Sequence, residues 1–197
     1  SCTAKPFKNL DIEKALCSES VTIDGYLLNK IRLYTLPDTT NQDIDQPRAE
    51  ASATAIKELV IASDAAKHLT NDDLTKLADL NFIHEKTEVI NLEKCNQITD
   101  LKPLERCSAL TSLDLTKCQQ ITDLSTLPVL PALTKIILWG CTKITDLSPL
   151  TSRTALTDLN LFNCKGITDL SPLISCAALA SLDLSNCDQI TNLSPLA

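Results

Sequence analysis

The sequence predicts an α/β solenoid: a right-handed coil whose concave wall is a parallel β-sheet, with short turns or 3-10 segments on the convex side and a cap at the N-terminal end. Three observations predict it. Cys95, Cys118, Cys141, Cys164 and Cys187 recur at intervals of 23 residues. Around each cysteine the same positions are apolar, as in Leu113 and Leu115 before Cys118 and Ile121, Leu124 and Leu127 after it. A further leucine completes the unit at Leu110, Leu133, Leu156 and Leu179. A fixed period in the twenties gives one strand and one return segment per unit. No single unit can bury its apolar edge, so the units stack and share one continuous core.

Taken in order, residues 1–55 form an N-terminal segment with little periodicity. Asp11 is placed to cap a short helix over Ile12–Cys17. Val21–Asp24 reads as a strand, Gly25 as a turn, and Leu27–Leu33, with its weak alternation, as a second strand. Pro37–Pro47 is polar and bracketed by prolines, which predicts a loop. Residues 56–86 read as a degenerate first repeat, because Ile56, Leu59 and Ile61 fall on the leucine positions when Asp64 stands at the cysteine position. The interval from Asp64 to Cys95 is longer than the period, and the excess predicts a capping helix. Thr70 is its N-cap, Asp72 and Asp73 fill its first turn, and Leu74, Leu77, Ala78 and Phe82 have apolar spacing. Residues 87–197 are the regular repeats. There Asp100, Asp123, Asp146 and Asp169 are placed to accept N–H groups of the turn that follows, and Pro103, Pro149 and Pro172 sit where a missing N–H costs little.

The units Ile121-Thr-Asp-Leu-Ser, Ile144-Thr-Asp-Leu-Ser-Pro-Leu and Ile167-Thr-Asp-Leu-Ser-Pro-Leu resemble bacterial and trypanosomatid leucine-rich repeats. Cys107-Ser-Ala-Leu-Thr-Ser-Leu-Asp-Leu-Thr-Lys-Cys118 is also similar to the cysteine-containing repeats of F-box proteins, with a shorter convex side. The resemblance spans residues 87–197. It implies the solenoid fold and a role in partner binding, and leaves the partner open.

Composition narrows the chemistry. A net charge of -7 with no basic stripe argues against nucleic acid as a partner. No apolar run reaches the length of a membrane span. The three glycines cannot build a phosphate-cradling loop. No G-x-S-x-G elbow or H-E-x-x-H motif occurs, and the two histidines, His68 and His84, read as surface or helix-end residues. The chain is therefore read as a non-enzyme without cofactor or metal. Nine cysteines would suit a disulfide framework, but five share one repeat position, where buried thiols donate weakly to backbone carbonyls. Cys107 and Cys176 share a convex-side position and read as core filler.

The chain has no Met, which places its natural start upstream of Ser1. Ser1-Cys2 resembles a lipobox, with Cys2 as the lipidated residue of an exported or cell-envelope lipoprotein. A trimmed N-terminus explains the same residues, in which case Cys2 is free to pair with Cys17 and a cytoplasmic location stays open.

Alternation along each strand sends the residues six, four, two and one before the cysteine to the concave face. Ser112, Asp114, Thr116 and Lys117 form one such set, followed by Lys135, Ile137, Trp139 and Gly140 and by Asp158, Asn160, Phe162 and Asn163. Trp139 and Phe162 occupy one column in adjacent repeats with Ile137 beside them. An exposed aromatic cluster ringed by polar groups has the composition of a binding hot spot. The expected partner-binding residues are Trp139, Phe162 and Ile137, with Asp114, Lys135, Asp158 and Asn160 around them. The same aromatics could equally stack to support neighbouring strands. The reading is a protein-binding module acting through the concave face. Its alternatives are a scaffold that self-associates end to end through its last repeat, and the recognition part of a larger enzyme assembly. The last is disfavoured because the first 48 residues lack an F-box helical pattern.

Overall fold

The computed structural model describes residues 10–16, 18–33 and 56–196. Seven strands form one wholly parallel sheet in chain order: β1 (Ser20–Ile23), β2 (Glu58–Ile61), β3 (Val89–Asn91), β4 (Ser112–Asp114), β5 (Lys135–Ile137), β6 (Asp158–Asn160) and β7 (Ser181–Asp183). The 23-residue period is the strand register itself. Ile90 pairs with Leu113, Leu113 with Ile136, Ile136 with Leu159 and Leu159 with Leu182, and Leu59 joins the same row opposite Ile90 across a longer first interval. These central residues are buried through β6, while their neighbours on either side face out. The returns include 3-10 segments at Lys102–Arg106, Ser148–Leu150, Ser171–Ser175 and Ser194–Leu196.

Among the described residues four helices precede the regular array: α1 (Leu10–Leu16), α2 (Gly25–Leu33), α3 (Ser63–Ala66) and α4 (Asn71–Asp79). Asp11 lies inside α1 and does not flank it. Leu27–Leu33 is helical, which corrects the strand expected there. Leu27, Leu28 and Ile31 are its buried residues, a helical spacing that weak alternation obscured. The helix starts because Asp24 Oδ1 accepts the Leu27 N–H at 2.8 Å and Asp64 Oδ2 accepts the Gly25 N–H at 3.0 Å. Asp64 does hold the register position of the cysteines, five residues after Leu59, but it is exposed and starts α3. The backbone bond from Gly25 holds its carboxyl below the usual range. β1 joins the sheet in register with β2, Val21 against Leu59 and Ile23 against Ile61. The sheet therefore begins one strand before the expected degenerate repeat. Pro37–Pro47, Cys2 and Cys17 lie outside the described residues.

α4 forms as its sequence dictates. Thr70 Oγ1 accepts the Asp73 N–H at 3.3 Å and Asp73 Oδ2 accepts the Thr70 N–H at 2.9 Å, a reciprocal capping box. Phe82 lies beyond the helix end at Leu80, after Asn81 at φ 66°, and is fully buried. His84 follows and is buried too, contrary to the surface position expected of it. Its Nδ1 accepts the Lys86 N–H at 3.1 Å, and its Nε2 has no partner among the described residues. Burial holds its pKa down. The neutral ring is thus favoured in the fold, so stability is full above the unfolded value near 6.5 and falls as pH drops from there through the lower folded value. Melting curves from about pH 8 to about pH 5 should show this acid-side loss. In His84→Asn, which keeps an acceptor near the Nδ1 position, the slope should be shallower; equal slopes would assign the loss to other groups.

In the array, four of the five column cysteines tie their unit to the one before, while Cys95 points at Glu93 in its own unit. Cys118, Cys141, Cys164 and Cys187 donate S–H to the carbonyls of Leu92, Leu115, Leu138 and Leu161 at 3.1, 3.1, 3.0 and 2.9 Å. Burial pushes the thiols of Cys95, Cys141 and Cys164 up to about 12. All seven cysteines among the described residues are free and buried. Asp100, Asp123, Asp146 and Asp169 accept the N–H of the residue two positions on, at 2.9, 2.7, 2.8 and 2.8 Å, which closes each turn. The convex position of Cys107 and Cys176 is filled in the intervening units by Leu130 and Arg153. Arg153 is buried. Its Nη2 donates to the Leu127 carbonyl at 2.9 Å, while Nε and Nη1 have no partner among the described residues.

Candidate recognition surface

The outward side chains of β4, β5 and β6 form the middle of the concave face. Ser112 and Asp114 stand on β4, Lys135 and Ile137 on β5, and Asp158 and Asn160 on β6. Lys135 and Asp158 are register partners, as are Ile137 and Asn160. Past each strand the chain turns sharply. Lys94, Lys117, Gly140, Asn163 and Asn186 all have φ between 57° and 71° and sit directly before the cysteines. Only Gly140 enters this region at no steric cost, and its φ of +71° together with Lys117 Cγ 3.3 Å from an added Cβ would strain any replacement.

Trp139 and Phe162 occupy the position just before this turn in adjacent units. Their ring centroids are 5.7 Å apart at an interplanar angle of 85°, an edge-to-face pair. Lys117 Nζ lies 4.7 Å from the centroid of the Trp139 ring. Trp139 remains 40% exposed even so. Beside the pair, Lys135, Ile137, Asp158, Asn160, Ser181 and Asp183 line a depression of about 220 Å³. Six of the seven residues singled out in the sequence therefore gather in one area, while Asp114 stands next to them on β4. Thr116, expected on the concave face, is buried instead.

Several of these residues also have structural partners. Asp114 Oδ1 accepts the Thr116 N–H at 2.8 Å, and Asn160 Oδ1 accepts the Phe162 N–H at 2.9 Å. Asp158 Oδ2 accepts the Thr157 hydroxyl at 2.6 Å. Ser181 and Asp183 lie six and four residues before Cys187, the same repeat positions, and pair with Asp158 and Asn160. Two backbone and side-chain hydrogen bonds from Ser185 hold the Asp183 carboxyl below its usual range. Among the described residues no cluster of metal-ligating side chains occurs, and no helix is long and apolar enough to cross a membrane.

Comparison with known proteins supports the architecture. The family description "Leucine Rich repeats (2 copies)" matches residues 88–129 and 154–197. The crystal structure of the internalin InlF from Listeria monocytogenes is similar, with a TM-score of 0.59 and 23% identity over 95% of this chain and 52% of that one. Internalin C2 from the same organism aligns at a TM-score of 0.49 and 25% identity, over 79% of this chain and 62% of that one. The chain thus spans about half the length of the InlF chain it matches. No curated protein sequence matches it. The InlF likeness concerns fold. Period, strand register and family match agree on a leucine-rich-repeat fold built on 23-residue units.

Proposed function

We propose that this chain is a non-enzymatic interaction module that binds a protein partner on its concave face, with Trp139, Phe162 and Ile137 as the anchor and Asp114, Lys135, Asp158 and Asn160 as its rim. Leucine-rich repeats of this kind generally serve as interaction domains, and the choice of face rests on one observation. The edge-to-face Trp139–Phe162 pair leaves a large aromatic exposed beside the depression on β5–β7. Buried aromatics in a desolvated centre dominate interface energies.

Burying one such ring contributes about 1.5–3 kcal/mol from area alone, a change of roughly 10- to 150-fold in affinity. Ligands selected from a displayed protein-fragment library against the immobilised chain should bind Trp139→Ser and Phe162→Ser weaker by that factor, with melting temperatures nearly unchanged. Should Trp139→Ser melt much lower yet bind as before, the pair is a structural stack and the site lies elsewhere, on the segment from Thr70 to His84. Two further readings rest on sequence alone: a lipid anchor at Cys2, and end-to-end association through the last repeat. The division into residues 1–55, 56–86 and 87–197, with the first two closing the N-terminal end, is likewise our proposal.

A further inference from the structure

Four of the five regular units leave their strand with the same device. The residue four before the cysteine is Asn91, Asp114, Asn160 or Asp183, and its Oδ1 accepts the N–H two residues on, from Glu93, Thr116, Phe162 and Ser185 at 2.8, 2.8, 2.9 and 2.9 Å. Such a side chain mimics a backbone turn and satisfies a donor that the strand end would leave open. The unit of Cys141 breaks the rule. Its equivalent residue is Ile137, which has no acceptor, and among the described residues the Trp139 N–H has no partner. The one unit that gives up this bond is the one that carries the exposed tryptophan. A local rule broken at a single place, beside an exposed anchor, is the pattern of a functional site.

We propose that Ile137 and the open Trp139 N–H together read an extended polypeptide segment. An apolar side chain of that segment packs against Ile137, Trp139 and Phe162, and one of its backbone carbonyls accepts the Trp139 N–H. This deepens the concave-face reading above and rests on it. The observations select the occupant. The depression of about 220 Å³ is smaller than the about 300 Å³ at which small-molecule sites begin. Asp158 and Asp183 outnumber Lys135 in its lining, a balance that disfavours a phosphate backbone. An extended chain, in contrast, presents a side chain and a carbonyl close together, and main-chain bonding with side-chain pockets is how such segments are recognised.

The test uses a displayed library of short linear peptides selected on the intact chain, with the fluorescence of the chain's single Trp as one readout and calorimetry as the other. Ile137→Asn restores the turn residue of the neighbouring units. It should raise the melting temperature by about 2–4 °C, the shift for one regained hydrogen bond, and weaken binding of the selected peptides by roughly tenfold. An ester in place of the peptide amide whose carbonyl meets Trp139 should weaken binding by roughly fivefold, since an ester carbonyl is the poorer acceptor. Ile137→Asn that melts higher yet binds the peptides as tightly overturns the proposal, and so does an unchanged or lower melting temperature, because the position would then not lack that bond. Peptides whose affinity is indifferent to Trp139→Ser would instead overturn the concave-face reading itself, and a selection that yields no peptide overturns both.

Discussion

Asp73→Ala is expected to lower the unfolding free energy by about 2–4 kcal/mol, a large part of the roughly 5–15 kcal/mol that holds a domain folded. Three contacts fail together. The capping box of α4 loses its returning carboxylate, which bonds the Thr70 N–H at 2.9 Å and the Thr70 hydroxyl at 2.9 Å. The bidentate pair with Arg32, at 2.8 Å to Nε and 2.6 Å to Nη2, is lost as well. With it goes the side-chain tie between α2 and α4, leaving Lys76 Nζ on the Arg32 carbonyl at 2.8 Å. The Asp73 side chain is 7% exposed and that of Arg32 35%, so the abandoned guanidinium recovers part of its hydration and the cost stays below that of a fully buried pair. Burial pushes the Asp73 carboxyl up, but the bonds from Arg32 and Thr70 outweigh it and hold the group below its usual range. Its contribution is therefore present above the unfolded value and lost as pH falls through the folded one. Thr70→Ala, which removes only the hydroxyl, should cost about 1 kcal/mol. Chemical denaturation of both variants decides: equal losses would mean that the Arg32 pair adds nothing beyond the cap.

Arg153→Met is expected to act in the opposite direction, raising stability by about 1–3 kcal/mol. The guanidinium is buried on the convex side with a single hydrogen bond among the described residues, and burial pulls its pKa down. A charge taken from water with most of its donors idle costs more than one bond returns. Leu130 and Cys176 occupy the same position in the neighbouring units, so an apolar side chain fits the stack. The opposing term is the Leu127 carbonyl, which loses its donor, at about 1 kcal/mol. Cys176 donates to the Leu150 carbonyl at 3.5 Å from the equivalent place, so Arg153→Cys keeps a donor but leaves a void. Thermal melts of the two variants separate these terms. A lower melting temperature for Arg153→Met would show that the guanidinium holds the convex turn more strongly than its desolvation opposes it.

Features that repeat were legible in the sequence, and those that depend on one contact were not. The period gave the register of β3 through β7, the column of buried thiols and the Asp-closed turns, because each of these recurs with the same residue type. Ile56, Leu59 and Ile61 carried the register one unit further, although Asp64 had replaced the cysteine. α2 was hidden since its nine residues bury only Leu27, Leu28 and Ile31 and owe their start to Asp64, a residue distant in sequence. The left-handed residues before the cysteines were invisible at Lys94 and Lys117, where the residue type gives no hint of positive φ. His84 reads as solvated because its type usually is. For Arg153 the period held the answer, since Cys107, Leu130 and Cys176 share its place. At the candidate site, alternation found Ile137, Trp139 and Phe162, but it could not show that Asp114 and Asn160 are occupied with closing turns.

The thiol column makes the array a clock for its own breathing. A thiol raised to about 12 is almost wholly protonated near neutrality and barely nucleophilic while its layer is closed. Each layer from Cys95 to Cys187 carries one buried thiol at an equivalent position, and burial raises the pKa of every one of them. Alkylation of each cysteine in turn then times the opening of its own layer, since the trapping reagent meets a thiolate only during the interval in which that layer is parted from its neighbour. A stack that frays from one end would be modified in chain order, whereas one that opens as a unit would be modified at every layer at a single rate.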